Sequence, residues 1–178
     1  MTASVGVHLL ILVIGWGSAT QFSLLVFLVT LVALCEYFLI VFRERWKERT
    51  LGIVSGVLVS LGIVIPGISE PGLALAIAIL LALSTYLFSR GKLEEKFQHL
   101  GWTLLGALYV GYFVPHLALL HQSPDGRAWV FFLLLVVMGG DTAGYYAGTS
   151  LGKNKLCPEI SPGKTVEGAL ASLAASLV

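Results

Sequence analysis

Apolar residues come in long blocks, and short polar segments divide them. The blocks cover about 4–19, 22–42, 51–66, 72–89, 100–120 and 128–148, and one more begins near Val166 and reaches Val178. A bilayer-crossing helix needs about 20 apolar residues at about 1.5 Å of rise each. The pattern therefore predicts an all-α polytopic transmembrane bundle of about six spans, with a truncated seventh at the end. The blocks at 4–19 and 51–66 are short and fit tilted or half-buried helices. No basic stretch precedes Thr2–Ala19, so that block reads as a span and not as a cleaved leader. No repeat or linker interrupts the series, which predicts a single integral-membrane domain over residues 1–178.

Composition strengthens this reading. Hydrophobic residues make up 57% of the 178, charged residues 12%, and the mean hydropathy is +0.89. Soluble domains carry about 25% charged residues, so a soluble globular enzyme is excluded. Two cysteines, Cys35 and Cys157, suit neither a disulfide framework nor a cysteine-based metal site.

The placement of charge says more than its net value of +1. Segment 43–50 holds Arg43, Arg45, Lys47 and Arg49; segment 90–96 holds Arg90, Lys92 and Lys96; segment 149–165 holds Lys153, Lys155 and Lys164. Those account for all of the 11 Lys and Arg except Arg127. Alternating the spans puts the three basic segments on one side, and the positive-inside rule makes that side cytoplasmic. The N-terminus and the 149–165 loop are then cytoplasmic, in the cell's inner membrane.

Two acids fall within apolar blocks. Asp141 lies thirteen residues past Ala128, and Glu36 lies fourteen past Phe22. Both should sit roughly 20 Å along their helices, or roughly 10 Å below the inner surface, within reach of lipid headgroups. A carboxylate in mid-helix costs about 2.5 kcal/mol or more, so it normally faces a cavity, a partner or an ion. Asp141 could also be a snorkelling acid at a helix boundary, and Glu36 could pair with a cation across the bundle.

Glycines recur at 140, 144, 148 and 152. On a helix they form one smooth stripe where another backbone can approach, and the stripe leaves room beside Asp141 for a bulky ligand. The segment "SPGKT" hints at a phosphate loop, but that pattern needs glycine where Pro158 stands, and a strand where an apolar helix precedes. What remains is a lysine-bearing segment ahead of a helix start. Ser161 or Thr165 could cap the helix that carries Glu167. The segment could bind anions through lysines and backbone amides, or could simply be a solvated, topology-setting loop. With Asp141 able to hold Mg²⁺ alongside substrate phosphates, the set suits phosphoryl or nucleotidyl transfer onto a membrane lipid. The histidines (His8, His99, His116, His121) read as structural. Trp16, Trp46, Trp102 and Trp129 read as interface anchors.

The stretch "DTAGYYAGTSLGKNKLCPEISPGKTVEG" closely resembles the phosphatidate cytidylyltransferase family. The matching positions are Asp141, Tyr145, Gly148, Gly152, Lys153, Lys155, Leu156, Pro158, Ile160, Ser161, Pro162, Lys164, Thr165, Glu167 and Gly168. The motif covers about thirty residues. Elsewhere the likeness is general, with Glu36-Tyr37 late in an early span. Many members carry arginine where Thr149 stands, and the family's C-terminal signature with further acids does not occur before Val178. The resemblance therefore implies a C-terminally truncated member, inactive alone.

The resemblance implies transfer of a cytidylyl group from CTP to phosphatidate, giving CDP-diacylglycerol and pyrophosphate. It implies Asp141 as Mg²⁺ ligand and, with Lys164, as catalytic residue. It also implies Lys153, Lys155, Ser161, Lys164 and Thr165 as contacts to CTP or phosphate, with Glu167 either near the metal or bracing the loop. The second metal carboxylate would come from the absent segment. The implied partners are CTP, phosphatidate and membrane lipid, with a homodimer as the assembly and no nucleic acid. The rival readings are a CTP-dependent lipid-alcohol kinase and a transporter or non-catalytic membrane protein.

Overall fold

The computed structural model of the chain describes residues 13–65 and 71–177. Most of the first predicted span, 4–19, lies outside the described residues. The helices are α1 (Ala19–Val41), α2 (Trp46–Val64), α3 (Pro71–Phe88), α4 (Leu93–Gly106), α5 (His116–Gln122), α6 (Gly126–Ser150) and α7 (Val166–Ser176), with a π-helical stretch at Ala107–Tyr112. Two short strands, β1 (Lys155–Cys157) and β2 (Ser161–Thr165), lie between α6 and α7. Among the described residues, three helical stretches are long and apolar enough to cross a membrane: Ala19–Val41, Leu93–Gln122 and Gly126–Ser150. The architecture is that of an all-α membrane protein.

The contacts fall into two compact units, Met1–Gly126 and Arg127–Val178. In the first, α1 starts at a reciprocal cap: the Gln21 amide donates to Ser18 Oγ at 3.2 Å, and the Ser18 amide donates to Gln21 Oε1 at 2.8 Å. Its buried face repeats every fourth residue, through Phe22, Val26, Thr30, Leu34 and Phe38. The opposite faces expose Leu24, Leu28, Val32 and Ile40. A helix that is apolar all round and buried on one side only fits a lipid-facing position. Thr30 satisfies its buried hydroxyl on the Val26 carbonyl at 2.8 Å.

Large side chains fill glycine notches here. Phe38 lies where Gly52 of α2 and Gly106 of α4 would otherwise carry a Cβ, and Leu34 fills the space at Gly56. A Cβ on Gly111 would come within 2.7 Å of the Gly56 carbonyl oxygen, so these two backbones are in close contact. The predicted span at 100–120 is longer than its apolar pattern and is interrupted. It starts at Leu93, passes through the π-helical stretch and breaks before α5 at Pro115, which has no amide to donate. His116 Nδ1 lies 2.7 Å from the Tyr112 carbonyl across that break.

Two polar segments expected as loops are partly helical. α2 begins at Trp46 and α4 at Leu93, so Lys47, Arg49 and Lys96 sit on helices. The predicted spans 51–66 and 72–89 are helical up to Val64 in α2 and Phe88 in α3, and among the described residues neither helix reaches membrane-spanning character by length and composition. In α2 the reason is the charge of Lys47, Glu48 and Arg49 in its first turns. Glu36 is exposed on α1, and among the described residues no ion pair reaches it, so the pairing considered for it does not form there.

Candidate functional site

The second unit is built on small residues. The glycine stripe of α6 faces a matching stripe on α7: Gly168, Ser172 and Ser176. A Cβ on Gly140 would lie 2.6 Å from Ser176 Oγ, one on Gly144 would lie 3.1 Å from Ser172 Cβ, and one on Gly148 would lie 3.2 Å from Thr165 Oγ1. The order of contacts makes α6 and α7 antiparallel, with almost nothing between their backbones. The α7 half of this pattern, Gly168, Ser172 and Ser176, also stands at four-residue spacing in the sequence.

The polar segment between these helices is mostly a hairpin and not an open loop. β1 and β2 pair antiparallel, with Lys155 opposite Thr165 and Cys157 opposite Ser161, and the register is irregular between those pairs. The extra residues on β2 include Pro162, which cannot donate to a ladder and is tolerated at a bulge. Gly163, Lys164 and Thr165 are strand residues, and the helix starts only after them. This is not the geometry of a phosphate loop. Thr165, not Ser161, caps α7: it is buried, and its Oγ1 accepts from the Gly168 amide at 3.2 Å.

Glu167 ties the same base of the hairpin on its β1 side. Its carboxylate accepts from the Asn154 amide at 3.2 and 3.3 Å and from Asn154 Nδ2 at 2.9 Å. It lies outside the three membrane-length helices. Hydrogen bonds from its own amide, from Asn154 and from the Lys153 amide hold its carboxyl below the usual glutamate range. Of the two roles considered for Glu167, these bonds favour bracing. Asn154 carries no signal in the sequence that would mark this role.

Between α6, the hairpin and α7 opens a cleft of ≈ 680 Å³. Asp141, Ser161, Lys164 and Thr165 all line it. Lys153, Lys155 and Glu167 do not; the two lysines are exposed on either side of the clasped Asn154. Tyr145 and Thr149 also line the cleft. They follow Asp141 at intervals of four, which puts all three on one helix face. Thr149 stands where the resemblance leads one to expect arginine. Its hydroxyl is turned back on its own helix, toward the Tyr145 carbonyl at 2.9 Å and the Tyr146 carbonyl at 3.2 Å. Gly144 and Gly148 serve twice, as the seat for α7 and as wall of the cleft.

Asp141 is the one acidic side chain among the described residues lining the cleft, and no group of three or more His, Cys, Asp or Glu gathers there or elsewhere among the described residues. The arrangement offers one carboxylate at a membrane-length helix, one ammonium and two hydroxyls on the polar hairpin side. That combination can hold an anion beside a cation.

The profile of the cytidylyltransferase family matches residues 1–178. The phosphatidate cytidylyltransferase of Bacillus subtilis (strain 168) is 36% identical over 116 residues, covering 63% of this chain and 41% of its own. That of Staphylococcus saprophyticus is 33% identical over 132 residues, covering 70% and 50%. That of Brucella suis is 40% identical over 78 residues, covering 43% and 29%. The chain thus spans half or less of the length of these relatives. With the family's profile matched along its whole length, the chain belongs to the cytidylyltransferase family.

Proposed function

We propose that the protein acts in phospholipid synthesis, transferring a cytidylyl group from CTP to phosphatidate to give CDP-diacylglycerol and pyrophosphate. The observation that carries this reading is the convergence of Asp141, Ser161, Lys164 and Thr165 on one cleft bounded by a membrane-length helix and a polar hairpin. A lipid phosphate and a soluble nucleotide could meet at such a boundary.

A phosphatidate oxygen attacks the α-phosphorus of CTP. The new P–O bond forms as the bond between the α-phosphorus and the bridging oxygen breaks, and pyrophosphate leaves with that electron pair. The nucleophile is already an anion, so no strong base is required. The chief need is to bring two anions together and spread their charge. Lys164 supplies a point charge to the phosphates. Ser161 can donate a hydroxyl proton to a phosphate oxygen. Thr165 accepts from the Gly168 amide and keeps its own hydroxyl proton to donate. Lys153 and Lys155 draw the nucleotide toward the hairpin, and Glu167 keeps the hairpin in register through Asn154.

Mg²⁺ fits this donor set as a one-carboxylate ion, because it commonly takes one or two carboxylates and completes its shell with waters and substrate phosphates. Asp141 would hold it, and when bound it would neutralise phosphate charge. A homodimer, the inner membrane, and a cytoplasmic N-terminus and hairpin belong to the same proposal.

The test is product analysis with labelled CTP in membranes carrying the full-length protein. Label from the α-phosphorus should appear in a CDP-lipid. Transfer of the γ label alone would replace this reading with a lipid-alcohol kinase. Asp141→Asn and Lys164→Ala should each lower turnover by about a hundredfold or more. Undiminished activity in either would remove that residue from the site.

A further inference from the structure

A second polar cleft, of ≈ 200 Å³, lies in the first unit and shares no residue with the one above. It is lined by five cations from two segments that are remote in sequence: Arg45 and Lys47 from the start of α2, and Arg90, Lys92 and Lys96 from the end of α3 through α4. Its two acids, Glu48 and Glu95, are both approached by Arg45, at 3.4 and 3.9 Å. Lys47 leans over the Trp46 ring at 5.6 Å, while Arg90, Lys92 and Lys96 form no ion pair among the described residues.

Topology-setting cations need only lie on one side of a membrane; they need not converge. Here a glycine bend brings them together. Gly91 has φ 138°, a backbone conformation that side chains other than glycine rarely adopt, and it turns the chain so that Arg90 and Lys92 both reach the cleft. Lys96 stands one helical turn beyond Lys92. The N-termini of α2 and α4 enter the same cleft, and neither has a side-chain cap. Their free amides add positive potential to that of the cations. The floor is polar too, with the Tyr86 hydroxyl bonded to Thr103 at 2.9 Å.

We infer that this cleft is a phosphate-binding site, separate from the Asp141 cleft, for the headgroup of an anionic phospholipid or for a soluble phosphate. Its cation excess, small size and position at the polar ends of apolar helices match a single phosphate better than a whole nucleotide.

The experiment is native mass spectrometry of the detergent-solubilised full-length protein, with phosphatidylglycerol, phosphatidylcholine and inorganic phosphate as separate probes. It compares two charge-matched variants. One, Arg90→Gln with Lys96→Gln, removes cations from the cleft. The other, Arg43→Gln with Arg49→Gln, removes cations from the neighbouring basic segment outside it.

The wild type should retain phosphatidylglycerol over phosphatidylcholine. The cleft pair should lose on the order of tenfold or more in that affinity, and the outside pair about threefold or less. Retention of phosphatidylglycerol that inorganic phosphate does not displace identifies the lipid as the source; displacement by inorganic phosphate identifies a soluble phosphate. Equal losses in the two pairs, or no loss in the cleft pair for either anion, would overturn the site. Lys92→Glu, a single exposed change, gives the same reading if the double variant does not fold.

Discussion

The two units solve the same packing problem in opposite ways. In the first, bulky side chains enter glycine notches: Phe38 fills the space at Gly52 and Gly106, and Leu34 the space at Gly56. In the second, small residues meet small residues, Gly140, Gly144 and Gly148 against Gly168, Ser172 and Ser176. Large-on-small packing fills the notches at Gly52, Gly56 and Gly106. Small-on-small packing brings two backbones together and leaves the next helix face, that of Asp141, Tyr145 and Thr149, as the wall of a cleft. A lipid-embedded protein can thus use one residue type, glycine, to seal one region and to open another.

The sharpest way to break this comparison is at the cleft wall. Asp141→Asn keeps the shape and removes the charge; turnover should fall by about a hundredfold or more with the melting temperature unchanged, as read by CTP turnover and thermal melting of the same preparation. Next come the two glycine systems. Gly144→Ala crowds Ser172 and the Gly168 carbonyl, so activity should drop about tenfold through misplacement of the cleft walls. Gly111→Ala drives a methyl onto the Gly56 backbone and should cost about 1–3 kcal/mol of stability instead, seen in thermal melting. If Gly111→Ala proved harmless to stability, the sealed-core description of the first unit would be wrong.

A smaller effect is expected at the cap. Thr165→Val removes the acceptor for the Gly168 amide and should cost about 1 kcal/mol, together with a loss of CTP affinity from the missing hydroxyl. The smallest is topological. In a Cys35→Ser background, Cys157, exposed on β1, should react with a membrane-impermeant thiol reagent only after the cells are opened. Labelling of intact cells would reverse the proposed orientation.

Much of this was legible in the chain. The apolar blocks located the helices because a lipid-facing helix needs apolar residues on every side, which makes it conspicuous. The four-residue glycine interval gave the α6 contact face, and the sequence offered Ser161 or Thr165 as the α7 cap, of which the fold uses Thr165. The hairpin was not legible: "SPGKT" has no alternation of polar and apolar residues, and it contains a proline and a glycine that usually mark turns. Its register comes from partners such as Glu167 and Asn154, thirteen positions apart, and no local rule connects them. The early start of α2 was hidden for the opposite reason. Lys47, Glu48 and Arg49 favour a helix well enough, but their charge reads as a loop between membrane blocks. The tight Gly56–Gly111 approach, between residues far apart in sequence, left no trace at all.

The Glu167–Asn154 clasp changes what arrival of a nucleotide would require. With Thr165 and Asn154 both fixed at the base of the hairpin, that base is already ordered before any phosphate reaches Lys164. Binding then need not freeze a wandering segment, and more of the contact energy remains as affinity. Cutting the clasp would leave every contacting side chain present. The loss would appear as a less favourable entropy of binding, with the enthalpy nearly untouched.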